Sequence, residues 1–475
     1  MSKTLPASLC FASARELARM IRERQVSARE VMAAHLVQIN RLNPTLNAIV
    51  ARLDDERCLA LADDADRTIA AGAEVGALHG LPIAFKDLES AIGFPWTRGS
   101  PIFAHEMAAE DTLLVERLRR AGVIPIGKTN VPEFGMGSHT YNRVYGTTSN
   151  PYDQSKSAGG SSGGAAAAVA TGMLPCADGS DLGGSLRNPG SFNNVVGFRP
   201  SFGLVPVAPA PLPLVGFAVK GPIARTVEDA AFLLSAIAGS DRRDPASYPS
   251  DPSSFARPLG RDFKGVRIAW CPDLGGLPLD ARVRAVLDRQ RRTFEDLGCL
   301  VQDRAPDLAA ADQIFLDVRS WMSSYNLRPL FDTHRDQLKP EAIWEIERGL
   351  ALTAPDVAAA LARHAELLQR IRLFQDDCEF IVCTVNQVPP FDARETWPKE
   401  IAGVQMEHYI GWMKSTYWIS TTHCPALSVP AGFTDDGLPV GIQIVGRRRD
   451  DRGVLQLGHA FEQATGFGRQ RPTCA

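Results

Sequence analysis

The run Asp181-Leu182-Gly183-Gly184-Ser185 is the part of this chain best equipped for bond-breaking chemistry. Glycines lack Cβ, so the amides of Leu182, Gly183, Gly184 and Ser185 can turn towards one point, and a few such donors stabilise an oxyanion beside a serine hydroxyl. Ser185 is therefore a candidate nucleophile. A serine hydroxyl is weak at neutral pH and needs a base. None of the nine histidines stands where a base is announced, so a lysine is the other candidate. Lys86 closes the apolar run Gly80-Leu-Pro-Ile-Ala-Phe85, where burial would favour the neutral amine. A lysine emerging into solvent at the end of a strand is the competing reading.

Two familiar patterns fail on physical grounds. Gly122-Val-Ile-Pro-Ile-Gly127-Lys128-Thr129 spells G-x-x-x-x-G-K-[ST], yet a phosphate cradle needs a pliable loop of free N–H groups. Val123, Ile124 and Ile126 are β-branched and Pro125 has no N–H, so a buried strand is expected there. Gly159-Gly160-Ser161-Ser162-Gly163 fits the G-x-S-x-G nucleophile elbow, but a polar loop, Asp153 to Ala158, stands where an apolar strand is required. A catalytic serine in this segment stays open. The histidines are isolated, so no metal site and no cofactor are expected.

The elements that must hold these residues read as α/β. Ser13 can cap a helix Ala14 to Arg24, Ser27 the next to about Leu42, and a third runs near Asp55 to Ala71. From Leu81 onward, short apolar runs alternate with helices: Leu81 to Phe85, a helix near Thr112 to Arg120, then Val123 to Ile126. Two Gly/Ser loops flank an Ala-rich helix of about 163–171, followed by a short strand near Leu174 to Ala177. Val266 to Trp270, Phe380 to Cys383, Ala426 to Val429 and Val440 to Val445 read as further strands, and Asp280 to Gln375 as mostly helical. The expected fold is a large mixed, mostly buried β-sheet covered by helices on both faces, with a helical N-terminal layer.

The chain is read as a single domain, 1–475, comprising the N-terminal layer (1–75), a core carrying the chemistry (76–239), an exposed linker-like loop (240–262) and the remaining strands with a variable helical region (263–475). The 475 residues carry 51 Lys+Arg against 54 Asp+Glu, a net charge of −3, which offers no basic stripe for nucleic acid. No stretch has the length to span a bilayer, and no apolar signal segment opens the chain, so a cytoplasmic protein with neither nucleic-acid nor membrane partners is expected. The nine cysteines, an odd number with no C-x-x-C pair, read as reduced thiols. Glycine stands out instead: 11 of the 40 fall between residues 159 and 203, in company with Phe192, Val195, Val196, Asp181 and Arg187 that no flexible linker would carry.

An ordered series of motifs resembles the amidase signature family: G-L-P-I-A-F-K-D at 80–87, G-K-T-N-V-P-E-F at 127–134, the Gly/Ser block at 158–201, K-G-P-I-A-R-T-V-E-D-A at 220–230, and P-A-L-S-V-P-A-G-F with G-L-P-V-G-I-Q-I-V-G at 425–446. The resemblance implies an amide hydrolase with a Ser-cisSer-Lys triad falling on Ser185, Ser161 and Lys86. It also implies a cis peptide between Gly160 and Ser161, and loop support from Ser162, Asp181 and Arg187. Departures are mild: Ser180 where Thr is usual, Leu186 where Ile is frequent, Gly190 where Ala is usual, Arg199 and Ser201 where Lys and Thr are frequent.

Substrate rests on fainter signals. Gln405 to Trp418 is rich in aromatics and reads as helical; it either packs in the core or lines the site. In the second case Tyr409, Trp412 and Trp418, with Phe192 and Phe391, would suit a small apolar or aryl amide, or an aryl carbamate, since both pass through a tetrahedral oxyanion. A homodimer is compatible with the sequence. Three other readings stand beside the stand-alone hydrolase: the glutaminase A-type subunit of a tRNA-dependent amidotransferase, an esterase with Ser161 as nucleophile and a histidine base, and a non-catalytic binding protein.

Overall fold

The computed structural model describes residues 6–475. The first helices form where the caps are. Ser13 accepts from the Glu16 amide at the start of Ala14–Arg22, Ser27 and Glu30 close a reciprocal capping box at the start of Ala28–Leu46, and Asp54 caps Asp55–Ala70. Their apolar stripes, among them Leu17, Ile21, Val31, Ile39 and Ala62, are buried.

Pro82–Lys86 lies parallel to Ile124–Thr129, and Ile49–Val50 pairs antiparallel to the latter, making a small three-stranded sheet. All five residues of Pro82–Lys86 are buried, as expected of a nearly continuous apolar run in parallel pairing. Within the run at 122–129, Ile124–Thr129 is a strand, and its Lys128 ammonium lies 3.4 Å from the Asp87 carboxylate rather than on an open phosphate loop.

The large sheet has eight strands, in the order Leu300–Asp303, Arg267–Trp270, Phe380–Thr384, Pro439–Val445, Ala426–Phe433, Val196–Arg199, Val219–Ala224 and Cys176–Asp181. The first three run parallel and the rest pair antiparallel, a mixed sheet. Alternation along one strand shows that both faces are covered. Phe380 and Val382 enter one core, with helices Val227–Ile237 and Asp451–Thr465, while Ile381 and Cys383 enter another, with Ala311–His334 and Lys414–Ser420. Each fully buried Val, Leu, Ile or Phe contributes about 1.5–3 kcal/mol of transfer free energy.

Several boundaries differ from the sequence-based expectation. The strand expected near 174–177 runs Cys176–Asp181, so Asp181 ends a strand instead of opening a loop. Of the aromatic stretch 405–418, only Lys414–Ser420 is α-helical, preceded by a 3₁₀ turn at Gly411–Met413. Leu300–Asp303 is an edge strand that the pattern does not announce, because only Val301 packs, and that partly, while Leu300 is 53% exposed. The polar segment 240–262 is mostly on the surface, with Asp244, Phe255 and Leu259 inserted into the body. Among the described residues no helix is long and apolar enough to cross a membrane.

Candidate functional site

The two sheets meet where the chemistry-bearing residues converge. Cys176–Asp181 is the edge strand of the large sheet, and the Lys86 backbone N–H, at the end of its strand in the small sheet, donates to the Asp178 carboxylate at 3.2 Å. This contact points the Lys86 side chain beneath the Gly/Ser loops, where it is fully buried and does not emerge into solvent. Its Nζ lies 2.8 Å from Ser161 Oγ, 2.7 Å from Ser162 Oγ and 2.9 Å from Ser180 Oγ. Burial, reinforced by the charge of Lys220, pushes the Lys86 amine down to about 7.

Ser161 and Ser185 both reach the floor of a cavity of about 390 Å³. The peptide between Gly160 and Ser161 is cis. Ser162 opens the helix Gly163–Ala170, whose Gly164 lies so close to the small sheet that a Cβ there would stand 2.4 Å from the Asn130 nitrogen. Much of the glycine surplus thus serves backbone-to-backbone packing behind the site. Ser185 Oγ makes no hydrogen bond among the described residues, so the Lys86–Ser161 contact is formed while the Ser185–Ser161 contact is not.

Asp181 organises the loop carrying Ser185. One carboxylate oxygen accepts from the Gly184 amide at 2.8 Å and from Arg187 at 2.9 Å, and the other from the Leu186 amide at 3.2 Å and Arg187 Nε at 3.0 Å. Arg199 adds a bond at 3.1 Å. All three side chains are fully buried. Burial alone would raise the Asp181 carboxyl, but the two guanidiniums override it and hold it well below the usual carboxylate range. The Gly184 amide is consequently spent on Asp181 and is not free for an oxyanion. The amides of Leu182, Gly183 and Ser185 donate to no acceptor among the described residues and remain available. Gly184 has φ +120°, a conformation side chains rarely adopt.

The aromatic residues expected at the pocket are elsewhere. Phe192, Phe391 and Trp412 pack on one another with ring centroids 5.3–6.1 Å apart, Tyr409 hydrogen-bonds Glu345 and Arg319 beneath the surface, and Trp418 packs at the edge of the same core. None of the five lines the cavity, because their apolar bulk is already spent on the second core. The apolar wall is made by Leu88, Phe134, Met136, Phe315, Met322 and Met413. Phe315, Arg319, Met322, Ser323, Asn326 and Leu327 recur at i, i+4, i+7, i+8, i+11 and i+12 on helix Ala311–His334, a one-face spacing visible in the sequence.

Among the described residues three cations reach the cavity and each already has a carboxylate: Arg98 with Glu106, Arg319 with Glu345 and Lys220 with Glu89. No carboxylate among the described residues lines it. His139 is committed to Ser157 at 2.7 Å and to the Ala393 carbonyl at 3.0 Å, and no histidine hydrogen-bonds Ser161 or Ser185 among the described residues. Among the described residues no group of three or more His, Cys, Asp or Glu could hold a metal ion.

A serine- and lysine-bearing cavity at the junction of two sheets, built on glycine-rich loops, is the setting in which the family match falls: the chain belongs to the Amidase family, whose match spans residues 30–455. It is an amidase signature serine hydrolase acting on amides. The chain is 35% identical to an acylamidase of Rhodococcus erythropolis over 98% of both chains. It is 33% identical to the A-type subunit of the glutamyl-tRNA(Gln) amidotransferase of Cupriavidus pinatubonensis, again over 98% of both. Its fold superposes on a bacterial aryl acylamidase of the amidase signature family with a TM-score of 0.89 at 29% identity, covering 97% of this chain and 99% of the other.

Proposed function

We propose that this protein is a stand-alone hydrolase of small neutral amides bearing an apolar or aryl group, with Ser185 as nucleophile, Ser161 as proton carrier and Lys86 as base. The observation that carries the reading is the buried Lys86 amine, brought to about 7 and lying 2.8 Å from Ser161 Oγ. A base with that affinity takes a proton near neutral pH and returns it.

In this reading Ser185 Oγ attacks the amide carbon while its proton passes to Ser161 Oγ and the Ser161 proton passes to Lys86 Nζ. The negative oxygen of the tetrahedral intermediate is met by the amides of Leu182, Gly183 and Ser185. Collapse breaks the C–N bond, and the relay runs backwards to protonate the departing amine. Water then enters by the same proton route, cleaves the ester to Ser185 and releases the acid. An aryl carbamate carries a carbonyl open to the same attack.

The likeness to A-type amidotransferase chains gives a second reading, a glutaminase working with partner chains. The cavity disfavours it. Free glutamine carries a carboxylate and an ammonium, and among the described residues each lining cation is already paired and no carboxylate lines the cavity. An esterase with Ser161 as nucleophile lacks its histidine.

Fluorophosphonate labelling followed by peptide mass spectrometry tests the assignment, with the adduct expected on Ser185; an adduct on Ser161 overturns it. Hydrolysis of aliphatic amides, anilides, aryl carbamates and glutamine tests the substrate class. Ammonia from glutamine alone, and only with added partner proteins, would reverse the choice.

A further inference from the structure

A second lysine stands at the same cavity. The strand Val219–Ala224 runs antiparallel to Cys176–Asp181 and sets Lys220 opposite Ser180. Ser180 Oγ is 2.9 Å from Lys86 Nζ, and Ser180 and Lys220 both line the cavity with Ser161 and Ser185. Ser180, bonded to the Lys86 amine, is thus the direct cross-strand partner of Lys220. The Lys220 side chain is 17% exposed, and its ammonium is fixed by the buried Glu89 carboxylate, whose other oxygen accepts from the Thr112 hydroxyl at 2.8 Å.

We infer that Lys220 is a positioning residue for amide hydrolysis: its ammonium, pinned by Glu89 to the cavity wall beside Ser180, keeps Lys86 in the neutral form that accepts a proton. This rests on the reading of Lys86 as the base. The charged groups facing Lys86 come from every element packed on it. Asp178 and Asp181 sit on the edge strand, Glu89 lies just beyond Lys86, and Lys220 is on the neighbouring strand. Behind Glu89 and Asp178, Lys128 on Ile124–Thr129 lies 3.4 Å from Asp87.

Most of the carboxylates cannot hold Lys86 charged. Asp181 is occupied by Arg187 and Arg199, and burial, helped by Glu89, raises Asp178 to about 7 so that it is not a full charge at neutral pH. Glu89 draws Lys86 towards the ammonium form and Lys220 drives it away, the effect of Lys220 being the larger. Glu89 thus serves chiefly to hold Lys220. An ammonium at this wall disfavours a second one on the fully buried Lys86, which burial already inclines to the neutral form.

The test is the pH profile of kcat/KM on a neutral anilide for the parent, Lys220→Gln, Lys220→Arg and Glu89→Gln. Lys220→Gln keeps a donor for Glu89 but removes the charge, so the acid limb should move up by about one pH unit, with about tenfold lower kcat/KM below the limb. Lys220→Arg should leave the limb in place. Glu89→Gln, nearly isosteric, should move it down, and it carries the test from the other side if Lys220→Gln does not fold. A purely structural role would lower kcat/KM at every pH without moving the limb, and that result, or shifts of the same sign in both neutral variants, overturns the inference. Lys86→Ala separates the two layers: near-parental turnover in that variant removes the base itself. An inactive Lys86→Ala with an unmoved limb in Lys220→Gln removes only the role of Lys220.

Discussion

Asp181→Asn is the substitution that most directly asks whether a buried charge cluster holds the reactive loop. Asp181 accepts five hydrogen bonds, from Arg187 twice, Arg199, and the amides of Gly184 and Leu186. An Asn keeps one acceptor and turns the other into a donor. With its oxygen towards Gly184, its NH₂ faces the Leu186 amide and Arg187 Nε, donor against donor. Arg187 and Arg199, both fully buried, lose their countercharge. Removing one partner of a buried ion pair costs about 3–5 kcal/mol, a large share of the roughly 5–15 kcal/mol that holds a native protein together. The urea midpoint should fall accordingly with little change in slope. Since the same carboxylate shapes the loop that presents the Leu182 and Gly183 amides, kcat/KM should fall about 10²–10³-fold, the usual effect of losing an oxyanion donor. A stability loss below about 1 kcal/mol together with near-parental kcat/KM would refute the reasoning, because the cluster would then be neither stabilising nor organising.

Three further outcomes are expected. Gly184→Ala places a Cβ 2.3 Å from Thr416 Oγ1 on a backbone with φ +120°, so strain of about 1–3 kcal/mol should appear in denaturant unfolding, with loss of turnover exceeding loss of substrate affinity. In the parent enzyme kcat/KM on a neutral anilide should decline below about pH 7 as Lys86 takes up a proton; a limb in the ordinary carboxylate range would exclude a lysine base. His35 is fully buried, its Nδ1 is 3.0 Å from the Gly172 carbonyl, and burial, aided by Arg225, pushes it down to about 4. The folded state then stays neutral while the unfolded chain gains a proton, so its contribution is whole above about pH 6.5 and is lost as pH falls towards 4. Between pH 7 and 5 the parent should lose about 2 kcal/mol more than His35→Gln in matched unfolding titrations; equal losses would contradict it.

What the sequence made legible follows from the range of the interactions involved. Caps at Ser13, Ser27 and Asp54 act within four residues, and two of the three mark their helices in the string itself. The glycine block draws attention to Ser185 and the amides beside it, but not to Gly184 spending its N–H on Asp181, since that depends on where a strand ends. Of the two readings left open for the aromatics, packing in the core is the one they adopt, and the reason is physical. Large aromatics such as Trp412 gain most by full burial, so their abundance near a site marks a core as readily as a pocket. Six of the residues that do line the cavity, from Phe315 to Leu327, lie on one face of helix Ala311–His334 where polar and apolar members are mixed, a stripe that hydrophobic periodicity alone passes over. Lys220 is positioned by strand register opposite Ser180, a pairing that no local spacing encodes.

The prior pairing of Arg98, Arg319 and Lys220 bears on what happens after the bond is cut. Hydrolysis of a neutral alkyl amide yields a carboxylate and an ammonium, two ions that require solvation. A chamber whose cations and carboxylates, among the described residues, leave no unpaired side-chain charge offers these fragments no counter-ion in exchange for water. On the reading proposed above, the neutral reactant therefore fits better than what it becomes, and departure into bulk solvent is favoured at the end of each cycle. Turnover on such a surface is protected against clogging by its own acid, a property that arises from charges neutralised in advance.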